Sequence, residues 1–163
     1  MVALFRFFTR GGGVGSLPAE LRAQFEPEGI LGVAEKVGVR QRFSGSIPGC
    51  HSGVSVTFHK GLLVFTHRRL YALIPTLMRL KEPAIDQPWA GTKSGPAKAT
   101  VDSSGVTLTI ALGRVDPRFS GELSARWKTP LDDELLYALP TRELRFAVTH
   151  AYVFSSLGVR VRP

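Results

Sequence analysis

The stretch Ile30 to Phe43, ILGVAEKVGVRQRF, sets Leu31, Val33, Glu35, Val37, Val39 and Phe43 against Lys36, Gly38, Arg40 and Arg42. Successive side chains of a strand point to opposite faces, so this period of two predicts one apolar row turned to a core and one basic row turned to water, with Glu35 the exception. The same period continues for about a hundred residues and predicts a mainly β chain.

Downstream, residues 44–53 carry Ser, Gly and Pro and read as a turn-rich loop. Val54, Val56 and Phe58 then alternate with Ser55, Thr57 and His59, and Lys60-Gly61 reads as a tight turn into an apolar strand over 62–74. Residues 77–81 extend that strand, whereas 82–96 holds Pro83, Pro88 and Pro96 and reads as a loop containing Trp89. The plainest hairpin is 97–102, Ser103-Ser104-Gly105, then 106–112, with Val106, Leu108, Ile110 and Leu112 on one face. In the next strand, 121–128, Leu123, Ala125 and Trp127 form the inner row and Glu122, Ser124, Arg126 and Lys128 the outer.

Two segments break the pattern. Residues 18–25 predict a short helix capped by Ser16, and 131–139 predict another, with Asp132, Asp133 and Glu134 placed where exposed amides and the helix dipole favour acids. Residues 143–149 alternate again, and the apolar tail 152–161 suits either a strand or a helix. These readings predict an antiparallel β-barrel or sandwich with one short C-terminal helix and few others. Residues 1–16 read as a flexible leader and linker, rich in Phe and then in Gly, and 17–163 as a single domain. The leader is an interfacial anchor, a frayed terminus or a strand pairing with the core.

The chain has 163 residues, a formal charge of +8 and one cysteine, Cys50. No internal disulfide can form, and Arg68, Arg69, Pro75 and Arg79 interrupt the longest membrane candidate, 61–80. A cytoplasmic protein, peripheral to a membrane at most, is expected. The positive charge would attract nucleic acid, anionic lipid or acidic protein.

The segment Lys60-Gly-Leu-Leu-Val-Phe-Thr-His-Arg-Arg-Leu70 resembles the strand signature of bacterial PH-like domains, in which a glycine, an apolar strand, a threonine and Arg-Leu recur. The resemblance implies two near-orthogonal sheets closed by a C-terminal helix; here the chain continues through 143–161 beyond the helix that would fill that role. In phosphoinositide-binding relatives, basic residues of the first strands grip phosphates, and Lys36, Arg40 and Arg42 are similar to that pattern, with a spacer of only three residues.

The candidate anion-binding residues are therefore Lys36, Arg40, Arg42, Arg126 and Lys128, which form one positive face if their strands are neighbours. Phe43, Phe58 and Trp127 fall on rows assigned to the core, which leaves few aromatics for base stacking. Cys50-His51 is the one local pair of metal-ligating type, and neither a Gly-x-Ser-x-Gly elbow nor a phosphate-loop motif is present. Asp132, Asp133 and Glu134 are accounted for by the helix start. No metal, cofactor or catalytic residue is expected. The expected function is a non-enzymatic PH-like module contacting a protein partner or an anionic membrane. A nucleic-acid-binding basic domain is the alternative, and a small-ligand barrel or hydrolase comes third.

Overall fold

The computed structural model describes residues 19–74, 83–91 and 94–159. Eight antiparallel strands form one sheet, curled into a nearly closed barrel: β1 (Ile30–Ile47), β2 (Cys50–Thr66), β3 (Arg69–Leu73), β4 (Ile85–Pro88), β5 (Ala97–Asp102), β6 (Gly105–Ala111), β7 (Ser120–Lys128) and β8 (Glu143–Phe146). Their order is β4-β3-β2-β1-β7-β6-β5-β8. Three short helices accompany them: α1 (Ala19–Phe25), α2 (Asp133–Ala138) and α3 (His150–Ser156). The expected leader, the Ser16 cap and the strand at 77–81 lie outside the described residues.

The long strand β1 joins the two halves. It pairs with β2 along its length and with β7 from Gly38 to Ser46. Its apolar row is not continuous, because register shifts at Ile30/Gly32 and Ala34/Val37 insert bulges, and Lys36 takes a left-handed backbone at φ 52°. A one-residue bulge exchanges the faces of everything that follows it. Val33 thus packs outside the barrel with Ile30, while Ala34, Val37, Val39 and Phe43 point into the main core. The single row from Leu31 to Phe43 is corrected accordingly.

Three further readings are corrected. Residues 44–53 are the tip of the β1–β2 hairpin, where Gly49 turns at φ 88°. Lys60-Gly61 is not a turn, since β2 runs through it as one 17-residue strand. Gly61 is glycine because its inner side meets Val39, the Trp127 indole and the Leu73 carbonyl; a Cβ there would lie 2.6 Å from Val39 Cγ2. Third, the proline-rich stretch contains β4, and Pro88 sits in this edge strand, where a missing amide costs the sheet little. Trp89 next to it is buried, and its Nε1–H donates to the Thr66 carbonyl at 2.8 Å.

On the outer face of β1–β2–β3, α1 covers Ile30, Val33, Leu62, Val64 and Tyr71 with Phe25, whose ring lies 5.0 Å from that of Tyr71. Arg69 fixes this layer. Its Nε and Nη2 donate to the two oxygens of Glu28 at 3.0 and 2.6 Å, its Nη1 donates to Asp86 of β4 at 3.0 Å, and its guanidinium lies 4.7 Å from the Phe25 ring centre. Arg69, the second arginine of the Lys60–Leu70 segment, thus ties α1, β3 and β4 together.

The hairpin β5–β6 and the inner row of β7 follow the sequence reading. So does α2, where the Asp132 carboxylate accepts from the Leu135 amide at 2.8 Å. The tail is helical: α3 buries Tyr152 and Val153 in the main core, and the buried Gln41 of β1 donates to the Ser156 carbonyl at 3.1 Å. Asp116, before β7, anchors the start of α3. Its carboxylate accepts from Arg118 at 2.8 Å and lies 3.4 Å from His150 Nε2. Hydrogen bonds from the Arg118 side chain and amide hold the Asp116 carboxyl down to about 2, against an ordinary value of 3.8.

Two outcomes follow from this packing. Gly61→Ala lowers stability in urea by about 1–3 kcal/mol, the usual cost of overpacking. Because the folded carboxyl of Asp116 titrates below its unfolded value, its stabilisation is present above about pH 4 and is lost as the pH falls towards 2. Asp116→Asn therefore melts earlier than the parent at neutral pH, and the gap between their melting curves closes across that acid window.

Candidate functional face

The outer face of β2 carries Val54, Val56, Phe58, Lys60, Leu62 and Val64 in one alternating row. The run of apolar residues in this row reads as a core strand, and for Leu62 and Val64 it is one, because α1 buries them. A seven-residue helix is only about 10 Å long, however. Beyond its reach Val54, Val56 and Phe58 are 58%, 37% and 77% exposed. Phe58 is thus corrected from core to surface. The inner row of the same stretch is Ser55, Thr57 and His59, paired with Phe43, Gln41 and Val39.

Directly paired residues of neighbouring strands share a face. Gly38 lies between Lys60 and Lys128, Arg40 between Phe58 and Arg126, and Arg42 between Val56 and Ser124. Four of the five basic residues picked out in the sequence, Arg40, Arg42, Arg126 and Lys128, therefore meet on one outer sheet face. Lys60, which the sequence reading used as a turn residue, joins them. Lys36 does not: it sits in the bulge, outside the paired register, and its left-handed backbone takes it out of the alternation.

A depression of about 540 Å³ opens in this face, lined by Gly38, Arg40, Phe58, Lys60 and Lys128. Lys128 also borders a second one of about 450 Å³ beside Ser103, Ser104 and Arg126. Arg126 Nη2 donates to Ser104 Oγ at 2.8 Å. Asp102 is held below the usual carboxylate range, first by its hydrogen bond from the Ser104 hydroxyl and also by the charge of Arg126. Partial burial lowers the pKa of His59, so the neutral ring is favoured at pH 7. Arg40 and Arg126 are directly opposed like charges, an arrangement that weakens a sheet.

Elsewhere, Cys50 and His51 are consecutive residues of β2 and point to opposite sides. Among the described residues no group of three or more His, Cys, Asp or Glu is placed to hold a metal. Among them, too, no helix is long and apolar enough to cross a membrane.

No protein-family model, characterised protein or solved structure matches the chain. The physical arrangement is what the chain offers. A side chain as exposed as Phe58 adds little to folding, so Phe58→Ser leaves the urea unfolding midpoint within about 0.5 kcal/mol of the parent.

Proposed function

We propose that the chain is a non-enzymatic, PH-like binding module that docks on an anionic membrane surface through the outer face of β1, β2 and β7. The observation that carries this reading is the coincidence of five cations, Arg40, Arg42, Lys60, Arg126 and Lys128, with the exposed apolar row Val54, Val56 and Phe58 on one sheet face. The PH-like assignment draws on the barrel with a helix near its C-terminus and on the Lys60–Leu70 segment. Cytoplasmic, peripheral residence is part of the same proposal.

Cations near an anionic surface contribute about 1 kcal/mol each. Apolar side chains entering the headgroup region add about 1.5–3 kcal/mol for a residue such as Phe58 when fully buried. After the losses of immobilisation, these terms place the affinity in the micromolar to millimolar range. The aliphatic pair Val54 and Val56 favours lipid, since neither has a π-face to stack on a base. Phe58 beside Arg40 and Arg126 is the feature that favours nucleic acid instead. An acidic protein partner would use the same charges.

Vesicle flotation separates these readings. The protein is expected to float with vesicles of phosphatidylcholine and phosphatidylserine but not with phosphatidylcholine alone. The double variant Arg40→Ala, Arg42→Ala should lose at least tenfold in binding, and Phe58→Ser severalfold. Retention of single- or double-stranded nucleic acid with no vesicle binding would sink the membrane reading and favour the nucleic-acid alternative.

A further inference from the structure

We propose that Gly38 forms the floor of a subsite for a phosphate monoester. Glycine inside a strand costs about 0.5–1 kcal/mol relative to alanine, so its presence there calls for a cause. Most glycines of this sheet have one. Gly45, Gly105 and Gly121 adopt positive φ and lie against neighbouring backbone, and Gly61 is pressed by Val39 and Trp127. Gly38 has neither cause: its φ is not positive, and a Cβ built on it meets nothing within 4 Å. Gly53 is similarly open, but it lies near the hairpin tip, away from these cations. Folding does not require a glycine at position 38.

What surrounds Gly38 supplies a reason. Its cross-strand partners are Lys60 on one side and Lys128 on the other. Strands lie about 4.8 Å apart, so the two lysine Cα atoms are roughly 10 Å from each other, with bare backbone between them. Two extended side chains of that length can converge on one group above the glycine. Arg40 is two residues along the same face, about 7 Å away, and Phe58 walls the depression. Among the described residues, Arg40, Lys60 and Lys128 make no ion pair. Any side chain at position 38 would fill the space where their donors meet.

The chemistry that suits this cradle is a small, highly charged acceptor. A phosphate monoester carries a charge of about −1.5 to −2 at pH 7 and three acceptor oxygens, enough for two ammonium groups and one guanidinium fork. A phosphodiester or a carboxylate offers one charge and two oxygens. The subsite therefore distinguishes a monoester headgroup from other anionic lipids of equal surface charge. This inference rests on the reading of the face as membrane-docking only for the source of the phosphate, and a soluble monoester would satisfy the same geometry.

The test compares vesicles containing phosphatidic acid with vesicles containing phosphatidylserine at matched zeta potential, alongside calorimetric titration with glycerol 3-phosphate. The parent should bind phosphatidic acid vesicles about tenfold more tightly, the equivalent of about one charge-assisted hydrogen bond. Gly38→Val should abolish that preference while keeping phosphatidylserine binding, with a melting temperature equal to or above the parent's because the added side chain has free space and suits a strand. The pair Lys60→Gln, Lys128→Gln should remove the same preference without altering the glycine. Equal binding of both lipids by the parent, or a preference that survives Gly38→Val, overturns the subsite and leaves membrane docking standing. Binding of glycerol 3-phosphate that Gly38→Val abolishes, with neither vesicle bound, upholds the subsite with a soluble ligand and removes the membrane reading.

Discussion

The register of β1 is the constraint on which the rest of the structure depends. It is the strand that joins the β4-β3-β2 half of the sheet to the β7-β6-β5-β8 half, so a slip of one residue would turn the side chains of both its interfaces over. The bulge at Lys36 sets that register. On one side of it the strand's outer face is roofed by α1; on the other the inner face takes Val37, Val39 and Phe43 into the core, and the outer face is left to Gly38, Arg40 and Arg42. Gly61 fits the same scheme from the neighbouring strand, since Val39 and the Trp127 indole occupy the space a Cβ there would need.

The outer face is thus divided into a covered half and an open half, and their chemistry differs in the way coverage demands. Under α1 the exposed ends of the layer are joined by a compact ion cluster, Arg69 with Glu28 and Asp86, where opposite charges meet at hydrogen-bond distance. On the open half, Arg40 faces Arg126 across a strand pair and no carboxylate separates them in register. The first arrangement serves the fold and the second opposes it. Natural domains retain such locally unfavourable choices where binding requires them, because only a few kcal/mol of stability is needed in excess.

Much of the fold was legible because alternation has a phase, and phase survives without knowledge of topology. The hairpin Ser103–Gly105, the inner row of β7 and the Asp132 cap were readable from local chemistry alone. Alternation does not say which row faces in. In the first half of β2 the apolar row is the outer one, and Lys60 within it, between Phe58 and Leu62, was the available sign that part of the row meets water. The bulge at residue 36 was hidden because a lysine, not a glycine, takes its left-handed backbone. The hairpin tip at 44–53 read as a loop for the opposite reason, its small residues being those of a tight turn inside a long ribbon.

The candidate face shows the same division between what is local and what is not. Arg40 and Arg42 are separated from Arg126 and Lys128 by more than eighty residues, and only pairing of the first long strand with the seventh brings them together. Once adjacent, each lies within about one Debye length, some 8 Å at physiological salt, of its nearest neighbour in the group, so an approaching anion meets overlapping potentials rather than isolated charges. Salt weakens that attraction but leaves the contribution of Phe58, Val54 and Val56 largely intact. A surface built from both terms uses charge to select and orient what arrives and apolar contact to hold it. Among the described residues α1 roofs Leu62 and Val64 of this row and leaves Val54, Val56 and Phe58 open beside the charges.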